Sequence, residues 1–453
     1  MKKAYKKPLA FKTEKVVRRY DTFEMADRLT KTKTFPIELA DNADIGDGNA
    51  RMGVGVIVHE LFDGKGVYYD WDLGAPKSFF YCGQELGLLT YQNKFYFFER
   101  SDKTYRLEHT FNGEMKFLEA QDKEGVFHPY FIGVDGIFSY DQTSGMKKIF
   151  ELACLPVATV FQGRIFAAID HSIVYCEPFS KAVFTESIDG GGKVVLPSDT
   201  GEVVDMVATS NAVYVFCAYG IWKLSAAGSA RDFCLERVGF TGRKILKGSA
   251  CAVGFSGGEK VLFFDEYGPW KLEHSGTMEI CRNLTYPIRT DKKGCEHACL
   301  NGKVIYNYGA LDGSVRNVVI DVETDQAYHS FTCEGLSDLK GQGVGVVDSF
   351  LYALVDGETL PIHKLSEIAS PPCDFYLSGV KTLRQLKIFG EGQVTVSVSS
   401  EYGTRTFALQ TQNGVASVDV RLKGELFCLR FVIGDHAVLR GLDVELCTLK
   451  GLR

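Results

Sequence analysis

The chain has 453 residues with 45% hydrophobic and 24% charged side chains, ordinary globular values that exclude disorder and coiled coil. Its net charge of −6, with basic residues spread along most of the length, excludes a broad nucleic-acid surface. Aromatics stand out, at 32 Phe and 21 Tyr, and together with 47 Gly they favour many short strands joined by turns.

The amino end carries the one basic cluster: Lys2, Lys3, Lys6, Lys7, Lys12, Lys15, Arg18 and Arg19. Such an arm suits phosphate or an acidic partner. Ala4-Tyr5-Lys6-Lys7-Pro8 interrupts any apolar run behind the first lysines, so no signal peptide is expected, and no later stretch approaches the ~18 apolar residues of a membrane span. A helix-like stretch lies near Thr22 to Leu29, and Asp41 to Asn49 is a polar, turn-rich run without the alternating acids of a calcium loop. Residues 1–50 are therefore read as an extended arm, ordered only within an assembly.

From there a repeat dominates. Tyr219-Gly220-Ile221-Trp222-Lys223-Leu224 recurs as Tyr267-Gly268-Pro269-Trp270-Lys271-Leu272, 48 residues on, with five of six positions identical. Each is preceded by the same lead-in strand, Asn211 to Phe216 and Glu259 to Phe264. Looser copies of the lead-in begin at Asn93, Phe127, Gly163, Gly302 and Ser349, at spacings of roughly 33 to 48 residues. Each copy is followed by a second short strand, as in Gly136 to Tyr140, which is the pattern of the middle strands of a propeller blade. Residues 51–370 thus read as a β-propeller of six to seven irregular blades. Tyr219, Trp222, Tyr267 and Trp270, recurring at one place in two blades, are expected to pack blade against blade.

After Pro371-Pro372 the beat shortens. Strands at Arg384 to Phe389, Val394 to Val398, Ser417 to Leu422, Phe427 to Phe431 and Leu442 to Leu446 predict a jelly-roll-like β-sandwich over 371–453. The fold class is all-β.

Motifs that carry chemistry are sparse. Cys295-Glu296-His297-Ala298-Cys299 puts three metal-binding types on one strand face, but no second pair supplies a fourth ligand. Gly190-Gly191-Gly192-Lys193 lacks the spacing and the hydroxyl of a phosphate loop. No zinc-protease pair occurs. Thirteen cysteines sit singly inside apolar runs, as in Phe216-Cys217-Ala218, and suit reduced core thiols. The expectation is a protein that is not an enzyme and needs no cofactor or metal.

Three segments resemble the β-propeller virion proteins of tailed bacteriophages, of the tail-nozzle or head-to-tail stabilisation type. They are the hairpin Val213 to Leu224, the run from Arg164-Ile165-Phe166 through Ile173 to Pro178 and on to Val194-Val195-Leu196-Pro197, and the closing segment Val438 to Leu446. The resemblance covers Arg164 to the end. It implies a structural subunit of the virion, assembled in the host cytoplasm as a symmetric homo-oligomer that packs on tail or connector proteins, with Lys2, Lys3, Lys6, Lys7, Arg18 and Arg19 near DNA or a partner. The alternatives are a carbohydrate- or receptor-binding propeller, which an exposed aromatic cluster at one mouth would favour, and a propeller glycoside hydrolase, which needs paired axial carboxylates.

Overall fold

The structure, a computed structural model, describes residues 12–25, 33–45, 48–58, 66–187, 190–226, 228–273, 276–280, 288, 290–300, 302–339, 341–356 and 366–450. Strands account for nearly all of its regular structure, and the fold is β-propeller-like. Seven small antiparallel sheets follow one another along the chain. Six are four-stranded meanders, each strand pairing with the one before it, over 76–110, 115–150, 158–195, 203–240, 251–279 and 290–330. These are sheets 1 to 6. Sheet 7 takes Glu334–Leu339, Gln342–Val347 and Phe350–Asp356 from its own stretch, and its outer strand, Val54–Ile57, from ahead of sheet 1.

A four-stranded sheet with two apolar faces must bury both, and here each interface between neighbours has its own core. Phe95 of sheet 1 meets Phe131 of sheet 2 with ring centroids 4.8 Å apart. Tyr130 and Ile165 join sheets 2 and 3, and Phe166 and Trp222 join sheets 3 and 4. Phe216 and Phe263 lie 5.3 Å apart between sheets 4 and 5, and Phe264 and Tyr306 4.5 Å apart between sheets 5 and 6. Val319 and Leu354 join sheets 6 and 7. The last core sets Val346 and Leu351 of sheet 7 against Phe79 and Leu88 of sheet 1, so the succession of sheets returns to its start.

Two further sheets share an eighth core. One runs Val415–Gly424, Lys381–Glu391, Val438–Lys450, Ala50–Met52, Ala43–Asp44, with Lys12–Tyr20 also paired along Val438–Lys450. The other runs Gly403–Gln410, Gln393–Ser400, Phe427–Ile433, Ser366–Ala369, Leu39–Asp41. Leu386, Ile388, Leu442 and Val444 from the first face Val396, Val398, Leu429 and Phe431 from the second. Phe23 and Phe35 complete the core, edge to face with each other at 5.9 Å and with Phe431 at 6.4 and 6.2 Å.

This topology corrects the amino-terminal reading. The described parts of 1–50 are not an arm apart from the rest: Lys12–Tyr20, Leu39–Asp41, Ala43–Asp44 and Ala50–Met52 are strands of the same two sheets as the carboxyl end, and Phe23, Phe35 and Ile37 pack into their core. The helix-like stretch near Thr22 is a strand, Thr22–Met25, paired in parallel with Thr34–Ile37, and residues 26–32 lie outside the described set. The three consecutive parts expected from the sequence, 1–50, 51–370 and 371–453, are nested instead, the seven sheets being inserted into the two-sheet unit. The lead-in copies also fall into two classes. Those at Phe127, Gly163, Asn211, Glu259 and Gly302 lie on second strands of their sheets, whereas those at Asn93 and Ser349 lie on third strands. Sheet 1 has Glu85–Thr90 as its second strand, which accounts for the short spacing between the copies at 93 and 127.

A buried joint fastens the two parts. Asn42, held at φ 48, receives a hydrogen bond at its carbonyl from Gly53 N at 2.8 Å and donates Nδ2 to Val54 O at 2.7 Å. The Ser366 hydroxyl also donates to the Asn42 carbonyl. A Cβ on Gly53 would stand 2.5 Å from Tyr328 Cε2, so only glycine fits where the chain passes from one part to the other. Lys303 closes the joint, 2.8 Å from Asp356 and 3.7 Å from Asp44.

Candidate interaction face

In each meander the first strand begins where the second turn lies, as Pro76 opposite Thr90 and Met115 opposite Gly133 show. The seven second turns and the connections between sheets therefore share one face. Turn chemistry aims side chains outward there. Asp265 Oδ1 accepts Tyr267 N at 2.7 Å and Gly268 N at 3.0 Å, which folds the Glu266-Tyr267 turn and leaves the Tyr267 ring out, with the Arg243 guanidinium 4.0 Å above it. The same position in other sheets holds Tyr91, Val134, Tyr219 and Leu311, and Leu152 and Val195 project from the same side. These seven apolar or aromatic residues are 43 to 68% exposed.

The repeated hexamer thus divides its labour. Tyr219 and Tyr267 point to solvent, while Trp222 packs between sheets 3 and 4, donating Nε1 to Thr200 Oγ1 at 3.1 Å, and Trp270 stacks on Phe263 between sheets 4 and 5. The tryptophans pack sheet to sheet, whereas the tyrosines do not.

At the centre of this face the polar groups satisfy one another. Glu114, on the connection from sheet 1 to sheet 2, accepts Lys77 Nζ at 2.8 Å and also pairs with Lys247, which leads into sheet 5. Since sheets 2 and 5 are not neighbours in the succession, this pair reaches across the middle. Burial alone would raise the Glu114 carboxyl; the two ammonium groups outweigh it and hold the group below its ordinary value. Burial lowers Lys77, against the pull of Glu114. Asp205 accepts Met206 N and Ala250 N, each at 2.8 Å. Glu296 of sheet 6 accepts the Tyr91 hydroxyl of sheet 1 at 2.6 Å and Gly335 N of sheet 7 at 2.9 Å, and burial pushes its carboxyl up to about 7. Each of these carboxylates ties sheets together with its oxygens already engaged.

The other residues singled out in the sequence are dispersed. Lys2, Lys3, Lys6 and Lys7 lie outside the described residues. Arg18 donates Nε to Phe375 O at 3.1 Å, and Arg19 pairs with Asp443 at 3.1 Å under the Phe389 ring, so both engage their own unit. Cys295, His297 and Cys299 do share a strand face toward sheet 5, and among the described residues no group of three or more His, Cys, Asp or Glu is placed to hold a metal ion. Among the same residues no helix is long and apolar enough to cross a membrane.

No family model matches the chain, and no curated relative matches it. Solved structures give distant likenesses. A chain of the mitotic checkpoint complex is 6% identical with a TM-score of 0.39, covering 67% of this chain and 93% of its own. The computationally designed Ika8 protein is 12% identical at 0.35, covering 62% and 95%. A catalytically inactive virginiamycin B lyase from Staphylococcus aureus, crystallised with quinupristin, is 10% identical at 0.44, covering 64% and 98%. Likenesses this weak assign no function.

Proposed function

We propose that the chain is a non-enzymatic structural component of a bacteriophage virion, a tail or head-to-tail connector subunit, built as a seven-bladed β-propeller inserted into a β-sandwich. Seven sheets with seven shared cores, the last returning to the first, support the blade count. Two sheets facing across one core support the sandwich. The observation that carries the functional reading is the face of outward apolar turn tips around a self-satisfied polar centre. Apolar contacts spread over six of the seven blades suit a protein partner, whereas a small ligand needs a concave pocket with free polar groups. The phage setting rests on the likeness of Val213 to Leu224, Arg164 to Pro197 and Val438 to Leu446 to virion propellers.

Electron cryomicroscopy of particles from lysates of the encoding organism tests the proposal. The expected result is the chain in several symmetric copies at a tail or connector, with the turn-tip face against a neighbouring protein. Recovery of the chain only as a free monomer, absent from purified particles, overturns it.

One feature favours receptor or carbohydrate binding as the second reading. Tyr376 and Tyr402, 79% and 63% exposed, stand on loops at one end of the sandwich: Lys381 ties the Tyr376 loop to Glu425 through the carbonyls of Leu377 and Glu425, and Glu425 N in turn donates to Glu401 beside Tyr402. Exposed aromatic loops on a rigid scaffold are common recognition devices. Glycan binding that disappears in Tyr402→Ala would move the assignment to this reading.

A further inference from the structure

We propose that Cys251 and Cys299 are a disulfide-forming pair that links sheets 5 and 6 when the protein meets an oxidant. Their sulfurs lie 3.6 Å apart, unbonded, in the core the two sheets share. Both residues sit on first strands, Cys251–Phe255 and Thr290–Leu300. Bond formation needs an S–S distance of about 2.05 Å, so the sulfurs must approach by roughly 1.5 Å, within the reach of side-chain rotation.

The backbone holds the two thiols in place. Ala250 N donates to Asp205 of sheet 4 at 2.8 Å, and Cys299 N donates to Asp338 of sheet 7 at 2.8 Å. Just upstream of both, Cys295 N donates to Lys247 O at 3.0 Å. Gly248 and Gly294 make this approach possible, since a Cβ on either would stand 2.7 or 2.8 Å from the opposing carbonyl oxygen. Neither strand can withdraw from the other without breaking this clamp.

The exchange balances with a small disulfide such as oxidised glutathione. Cys299 is half-buried and Cys251 buried, so the Cys299 thiolate attacks first, releasing one glutathione thiol and leaving a mixed disulfide. Cys251 then gives up its proton and attacks the Cys299 sulfur, releasing the second thiol. Two cysteine thiols are oxidised and one small disulfide is reduced. The hydrogen bond with Cys299, together with burial, pushes the Cys251 thiol up, so the second step is slow near neutrality and faster in mild alkali. The inference does not depend on the functional reading.

The test is to incubate the folded protein with oxidised glutathione at about pH 8.5, unfold it in denaturant, alkylate it and map the peptides by mass spectrometry. The expected result is two fewer alkylated thiols of the 13 in the chain, a tryptic species joining 248–260 to 294–303, and a thermal midpoint several degrees higher that a reductant reverses. Because 294–303 also contains Cys295, the link must persist in Cys295→Ser and vanish in Cys299→Ser. Should Cys299→Ser fail to fold, fragmentation of the wild-type cross-linked peptide identifies the sulfur instead. Full alkylation of both cysteines after oxidation, or a link through Cys295, overturns the proposal.

Discussion

Glu296 shows how a single side chain can act at the scale of the whole ring. It is pushed up to about 7 from an ordinary 4.5, so between these values the folded chain keeps a proton that the unfolded chain has released. The folded state binds more protons there, and this carboxyl therefore makes stability fall as pH rises through the window, levelling above it. Urea unfolding at pH 5 and pH 8 should show the wild type losing on the order of 2 kcal/mol more than Glu296→Gln across that interval. Parallel losses in the two proteins would remove Glu296 as the cause. The sequence brought Glu296 to notice only as a neighbour of Cys295 and His297. Its bonds to Tyr91 and Gly335, 205 and 39 residues away, follow from sheet order, which local pattern does not encode.

At the scale of elements, alternation was legible wherever a strand pairs with its chain neighbour. The strands proposed between 384 and 446 all appear, and the two hexamers mark true third strands of sheets 4 and 5. Strands whose partners are distant were not legible. Lys12–Tyr20 reads as a basic tail because its outer face is charged, and Val54–Ile57 carries no mark of joining a strand 300 residues on. That short strand is nonetheless decisive. Val56 is fully buried in the core between sheets 6 and 7, and Val56→Asp should cost more than about 3 kcal/mol in chemical denaturation, since it puts a charge where no partner waits. The same change at Val126, half exposed, should stay within about 0.5 kcal/mol. Equal effects at the two sites would mean that sheet 7 does not depend on its borrowed strand.

At the scale of the molecule, the exposed face and the packed cores can be separated by experiment. Replacing Tyr219, Tyr267 and Leu311 together by serine should leave the thermal midpoint within about 2 °C while cutting recovery in purified particles by at least about tenfold. Unchanged recovery would shift attention to another surface. This face was half visible in the sequence. The Tyr-Gly steps of the repeat are legible, but only folding separates a ring that points out from one that packs three residues later.

The nested topology also sets an order in time. Arg19 and its partner Asp443 are 424 residues apart, and ribosomes add roughly 5 to 20 residues per second. Lys12–Tyr20 therefore waits on the order of 20 to 80 s for its sheet partner, and Val54–Ile57 about 15 to 60 s for its partner in sheet 7. A chain released before sheet 7 leaves Val54–Ile57 without its partner Phe350–Asp356, and it lacks the carboxyl-terminal strands of the two-sheet unit. Synthesis through Asp356 is thus the condition for the seven sheets to close, and synthesis through Val438–Lys450 the condition for the two-sheet unit.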